Sequence, residues 1–342
     1  MHQKTKSSKK GDRNKTAVRK TAAKKASIKK EPAKKTTVKK SALNARKPAI
    51  RIYNMNFPVE GINCAARLYL PEGAKKPPVI IMGNGIGLEM GFGLPLFADE
   101  FAKNGYAVFL FDYSYYGESE GEPRHLLLPG RQLKDWSAAV KFVRKLDKVD
   151  SERICIWGYS FSGGHVLATA ACNSKVKAFM AHMPYMDSLF ILKINGFKKS
   201  LKISLAGYKD LFYSVTGKGH VNIQIAGRPD DFAIMTTPET YDGYLSLIPG
   251  GSEWKNEMPA RSMLAACFFR PFKFIPNIKC RGLVIYGEND SITDNKIVER
   301  YFKGNEQFEF IKLKCGHFGI FKGEYFKEAV SAELLFLKSV FS

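Results

Sequence analysis

The sequence is short of paired cysteines, of long apolar runs and, at one end, of acids. Its six cysteines (Cys64, Cys155, Cys172, Cys267, Cys280 and Cys315) are scattered, with no C-x-x-C pair and no His/Cys cluster. That spacing argues against a disulfide framework and against a structural zinc site. No apolar run approaches the roughly 18 residues that a membrane span needs. None follows the basic N-terminus either, so neither a transmembrane segment nor a secretory signal is expected. The glycine-rich stretch Met82-Gly83-Asn84-Gly85-Ile86-Gly87 completes neither G-x-x-x-x-G-K-[ST] nor G-x-G-x-x-G, which makes a phosphate cradle a poor reading of it. No metal and no cofactor are expected, and the setting expected is a reducing, cytoplasmic one.

What is present divides into two parts. Residues 1–48 hold 18 Lys/Arg against only Asp12 and Glu31, so they carry +16 of the chain's formal +22. From Lys24 a lysine doublet recurs every five residues, a period that matches neither helix nor strand and can form no apolar face. A disordered Lys-rich tail over 1–48 is the expectation. It reads either as a solubilising tail or as an electrostatic docking segment for a polyanion such as nucleic acid or an anionic membrane surface. Nucleoid or nuclear association through it stays open. The other 294 residues carry only +6, so basicity says little about their chemistry.

With 342 residues, 45% of them hydrophobic, the chain can bury a full-sized core. Two short strands flank a turn at Glu60-Gly61. Apolar strands at Val79–Met82, Ala107–Phe111, Ile154–Trp157, Val176–Ala181, Leu283–Tyr286 and Phe308–Leu313 then alternate with helical segments at Phe97–Lys103, Gln132–Lys145, Gly164–Ala171, Asn295–Phe302 and Tyr325–Leu337. Strands apolar on both faces and separated by helices predict an α/β fold over 49–342, with a mostly parallel central sheet covered by helices on both faces. The alternation stops between Met186 and about Pro271. This mixed, mainly helical or irregular insertion is expected to lie over one edge of the sheet.

Ile154-Cys155-Ile156-Trp157-Gly158-Tyr159-Ser160-Phe161-Ser162-Gly163-Gly164 runs from an apolar strand through small residues around a central serine into a helix. That is the context of a nucleophile elbow, which holds a serine hydroxyl above the sheet at the positive end of the next helix. Serine needs a base, and the base needs an orienting carboxylate. Downstream, Asp290 follows the strand Leu283–Tyr286 and His317 follows the strand Phe308–Leu313, in the order Ser, acid, His. Glu288 and Asp294 are the rival acids; the first sits too close to its strand, and the second is placed to cap the next helix. His165 and His182 read as packed or supporting groups, while His2, His125 and His220 fall in the tail, a loop and the insertion. Donors for an oxyanion are expected from the Phe161 N–H and, in the glycine-rich loop, the Ile86 N–H.

These residues together resemble the α/β-hydrolase superfamily, and more narrowly the dienelactone hydrolases, serine aminopeptidase-like hydrolases and polyketide-transferase-type thiohydrolases of bacteria and fungi. The resemblance covers about 50–340. It rests on Phe111-Asp112-Tyr113 with Gly117-Glu118-Ser119 and Pro123-Arg124, on the elbow through His165-Val166, on Gly316-His317-Phe318, and within the insertion on Met235-Thr236-Thr237-Pro238, Trp254-Lys255-Asn256-Glu257 and Ala260-Arg261. It implies Ser160 as nucleophile, Asp290 as acid, His317 as base, and 186–271 as a cap over an acyl or alcohol pocket. Two positions depart from the family pattern: Asn84 stands where relatives commonly have His, and Ser162 where G-x-S-x-G has glycine. The expected activity is cleavage of an ester or thioester of a small acyl substrate through an acyl-enzyme. An acyltransferase or a peptidase would use the same triad, and Glu239, Asp242, Glu253 and Glu257 are available as amine anchors. A non-catalytic binding module is the reading from a different class. Trp157, Phe161 and the aromatic, Met-rich cap read equally as pocket wall or as core.

Overall fold

The structure, a computed structural model, describes residues 48–342. The tail expected over 1–48 lies, Pro48 apart, outside the described residues. The chain enters as a hairpin, β1 (Ile50–Val59) and β2 (Ile62–Pro71), paired antiparallel. Glu60 and Gly61 both take positive φ (43° and 85°), the geometry that tight hairpin turns demand. One face of β1 stays exposed, as befits the outer strand of a sheet. Next come β3 (Pro78–Gly83), α1 (Leu94–Lys103), β4 (Ala107–Phe111), α2 (Pro129–Val143), β5 (Asp150–Tyr159), α3 (Phe161–Cys172) and β6 (Ala178–His182).

The chain returns to the main sheet with β10 (Arg281–Gly287), α7 (Asn295–Phe302), β11 (Phe308–Leu313) and α8 (Gly323–Phe341). The main sheet has eight strands in the order β1-β2-β4-β3-β5-β6-β10-β11. All neighbours from β4 to β11 run parallel. Every residue of β4 and β6 is buried, which is why these strands read as unbroken apolar runs rather than alternating ones. Helices α1 and α8 pack together, as do α2 and α3. On α1 the buried residues Leu94, Phe97, Ala98, Phe101 and Ala102 recur at the helical period.

Between β6 and β10 lie α4 (Ser188–Val215), β7 (Asn222–Ala226), β8 (Ala233–Met235), α5 (Thr240–Leu245), β9 (Met258–Pro259) and α6 (Arg261–Ala266), followed by a 3-10 turn at Pro271–Asn277. The expectation of helix or irregular chain misses a second, three-stranded sheet in the order β8-β7-β9. Those strands are two to five residues long, too short to show a period. The segment also does more than flank an edge. Tyr244 Oη donates to the Ile86 carbonyl at 2.8 Å and Trp254 Nε1 donates to that of Gly87 at 2.7 Å, so it covers the loop at the carboxyl end of β3. Those carbonyls have left the strand ladder and need donors from elsewhere.

Candidate active site

Strand β5 ends at Tyr159, and α3 begins at Phe161 with one residue between them. That residue, Ser160, has φ 57° and ψ −116°, a strained conformation for a side chain with a Cβ. Two backbone bonds hold it: Ser160 N donates to His182 O at 2.8 Å, and Tyr185 N donates to Ser160 O at 2.9 Å. Two glycines, Gly158 and Gly85, let the backbone close in around it. A Cβ at Gly158 would collide with the Ser162 carbonyl, and one at Gly85 would stand 3.0 Å from the Ser160 Cβ. Helix α3 therefore starts three residues earlier than the expected Gly164, which puts its N-terminus directly behind the serine hydroxyl.

Asp290 and His317 meet this serine. His317 Nε2 lies 2.9 Å from Ser160 Oγ, and His317 Nδ1 lies 2.7 Å from Asp290 Oδ2. Nδ1–H donating to the carboxylate leaves Nε2 free to accept from the hydroxyl. Asp290 is held in turn by the N–H groups of Ile292 (2.7 Å) and Thr293 (3.0 Å) and by Thr293 Oγ1 (2.7 Å). Burial pushes the Asp290 carboxyl up, but the His317 charge and these hydrogen bonds outweigh it and leave the group below the ordinary carboxylate range. The rival acids are engaged elsewhere. Glu288 is exposed and paired with Lys312 at 2.8 Å, and Asp294 accepts from the N–H groups of Lys296 and Ile297 at the start of α7.

The loop after β3 passes beside Ser160. Asn84 Nδ2 donates to the carbonyls of Glu89 (2.8 Å) and Phe92 (2.9 Å), and Asn84 Oδ1 accepts from the Gly85 N–H at 2.9 Å. The Gly85 donor is thereby used, and the next N–H along the loop is that of Ile86. The Phe161 N–H, at the first position of α3, has no acceptor within its helix. The two departures from the family pattern turn out to touch: Ser162 Oγ donates to the Asn84 carbonyl. Behind them Trp136 Nε1 donates to Tyr113 Oη at 2.7 Å, and Tyr113 Oη bonds Ser162 Oγ. This buried relay fixes the loop from below.

Glu239 went unassigned as a positioning group in the sequence. Its Oε2 accepts from the His317 N–H at 2.7 Å, and its Oε1 accepts from the N–H (2.9 Å) and hydroxyl (2.7 Å) of Ser291. One carboxylate thus ties the loop carrying the histidine to the loop carrying the acid. Of the other cap acids, Asp242 pairs with Arg228 at 3.3 Å. Glu253 and Glu257 line a polar cavity of about 570 Å³ with Glu89, Glu118, His125 and His220, and no triad residue lines it. His125 lies 3.3 Å from Glu89 in that cavity. Burial pushes the His165 imidazole down to about 3, so it stays neutral. Trp157 belongs to the core, stacked on His182 with ring centroids 4.5 Å apart, whereas Phe161 packs on Tyr185 at 4.8 Å. Tyr185 leads into an apolar cleft walled by Ile191, Leu192, Ile203 and Met263, in which Ser188 Oγ and Ser200 Oγ have no partner among the described residues.

The sheet order, the serine on its strained turn and the loops that carry acid and imidazole are those of a hydrolase fold, and the chain belongs to the α/β-hydrolase superfamily. Over 287 residues it is 35% identical to the quorum-quenching protein AidA of Acinetobacter baumannii, a match that spans 84% of this chain and 94% of AidA. It is 36% identical over 132 residues to the thiohydrolase aneE of Aspergillus aculeatus, spanning 39% of this chain and 41% of that one. A family profile of the X-Pro dipeptidyl-peptidases (S15 family) matches residues 60–203. Among solved structures, the α/β hydrolase GrgF from Penicillium superposes with a TM-score of 0.73 at 20% identity, over 85% of this chain and 99% of GrgF.

Proposed function

We propose that the protein is a serine hydrolase that cleaves an ester or thioester through an acyl-enzyme. The observation that carries this reading is the unbroken line of hydrogen bonds from Ser160 Oγ through both ring nitrogens of His317 to Asp290. As Ser160 Oγ bonds to the substrate carbonyl carbon, its proton passes to His317 Nε2. Asp290 remains ionised and stabilises the imidazolium. The negative charge on the carbonyl oxygen falls to the N–H groups of Phe161 and Ile86, with the α3 N-terminus behind them. Collapse breaks the bond to the alcohol or thiol, which leaves with the proton from His317. His317 then takes a proton from water, the resulting hydroxide equivalent attacks the acyl-enzyme, and Ser160 regains its hydrogen. The cleft beyond Tyr185 is apolar, and none of Ser160, Asp290 and His317 lines it. The thiohydrolase among the relatives supports including thioesters.

The test is a panel of p-nitrophenyl esters of rising chain length, with a lactone, an acyl thioester and an aminoacyl amide alongside. Fluorophosphonate labelling would run in parallel. Ser160→Ala or His317→Ala should lower turnover by roughly 10³-fold or more, and Ser160→Ala should abolish the label. A folded wild-type protein that neither takes the label nor turns over any ester would sink the hydrolase reading in favour of a binding module. Turnover that rises with an added alcohol or amine would move it to acyl transfer.

A further inference from the structure

Helix α4 wears its apolar side outward. Beyond the break at Gly196, where φ 67° and ψ 171° interrupt the helix, Phe197, Leu201, Leu205, Tyr208, Phe212 and Val215 recur three or four residues apart. All six are exposed, from 48% at Leu201 to 82% at Phe197. This spacing draws one stripe along a helix, and such a stripe ordinarily faces a core. Here the buried side of the helix is a different one, formed by Ile203, Gly207 and Asp210. Lys198, Lys202 and Lys209 are exposed along one flank of the stripe. Near the end of the helix Lys209 Nζ sits 5.4 Å from the ring of Tyr213, outside the stripe, and Lys218, just beyond the helix, brings its Nζ to 5.5 Å from the Phe212 ring. The one acid of this stretch, Asp210, is buried and bound to Arg261 at 2.9 Å. The exposed face of α4 beyond Gly196 is therefore apolar and cationic, with no carboxylate.

That combination selects the occupant. A second copy packed face to face would bring two lysine rows together with no acid on α4 to pair them. A bilayer with anionic headgroups supplies both a place for the apolar stripe and counter-charges for the lysines, whose stems can lie along apolar surface while their heads reach phosphate. Among the described residues no helix is long and apolar enough to cross a membrane, so the contact would be a surface one. Residues 1–48, with 18 Lys/Arg against two acids, would be drawn to the same surface. We propose that α4 docks in the surface of an anionic lipid bilayer, with its apolar stripe inserted at the headgroup–acyl boundary and its lysine row on the lipid phosphates. The catalytic reading is not needed for this.

The test is flotation of the full-length protein with vesicles of phosphatidylcholine alone or with about one-third phosphatidylglycerol. At least about tenfold more protein should float with the anionic vesicles. The triple variant Leu201→Ser/Leu205→Ser/Phe212→Ser keeps the tail and every lysine, and its flotation should fall at least about tenfold. Undiminished flotation of this variant would overturn the proposal and assign binding to the tail alone. So would a wild-type dimer, seen by light scattering, that the variant splits while the wild type ignores vesicles. A Phe212→Trp protein should gain a blue-shifted emission that brominated acyl chains quench, read against the wild-type background. An unshifted, unquenched signal on bound vesicles would equally overturn insertion.

Discussion

Ser162 and Asn84, the two positions that depart from the family pattern, form one contact, in which the extra hydroxyl holds the carbonyl of the replaced residue. Asn84 in turn consumes the Gly85 N–H, which leaves that of Ile86 as the next along the loop. Ser160, Asp290 and His317 could be picked out because each comes soon after the end of its own strand, at Tyr159, Gly287 and Leu313, which is a local signal. Glu239 could not, because its partners lie 52 and 78 residues away and are mainly backbone N–H groups, which leave no trace in side-chain pattern. Asp290 supports a prediction at this scale. Its carboxyl is buried but held below the ordinary carboxylate value, chiefly by His317. A carboxyl depressed on folding adds stability above its unfolded pKa of about 3.9, and that contribution is lost as pH falls through the folded value. Asp290→Asn should cost about 1–3 kcal/mol near neutral pH, since it leaves buried donors unpaired. Urea unfolding of both proteins should show the gap narrowing below about pH 4. A gap of constant size would mean that the charge of Asp290 is not what stabilises the loops.

At the scale of elements, the elbow rests on a polar cluster inside the core. Trp157 on β5 donates to Glu333 Oε1 on α8 at 2.5 Å. His182, at the end of β6, brings Nε2 to 2.9 Å from the same oxygen without the alignment of a hydrogen bond. The His182 carbonyl also receives the Ser160 N–H. Helix α8 therefore fixes the ends of two adjacent strands at the height of the serine. Glu333→Leu would leave the Trp157 N–H unpaired in an apolar interior and should cost about 1–3 kcal/mol. Glu333→Gln keeps an acceptor for Trp157 and should cost less. Urea midpoints at unchanged m-value read both, and a neutral Glu333→Leu would show that packing alone sets the strand ends. The main strands were readable because burial on both faces makes them apolar runs. This cluster and the small sheet of the 186–271 segment were not. Trp157 reads as pocket or core until α8 supplies its acceptor, and strands of two to five residues carry no measurable period.

On the scale of the whole molecule, the charge and the chemistry occupy different stretches of chain. Ser160, Asp290 and His317 all lie in the folded stretch, whereas residues 1–48 hold +16 of the +22. A tail built on lysine doublets has no aromatic or Arg-rich framework with which to read base sequence, so its attraction to a polyanion should be non-specific and strongly salt-dependent. The exposed lysines of α4 are few beside it and lie next to an apolar stripe, so their contribution should need a lipid surface rather than charge alone. The two elements then separate experimentally. Removing residues 1–48 should abolish salt-sensitive retention on heparin or DNA and leave ester hydrolysis unchanged, whereas the α4 triple variant should keep heparin retention and lose most of its vesicle binding. Equal heparin retention after truncation would place the polyanion site on the folded part. Its net +6, spread over 294 residues, would then have to be gathered on one face.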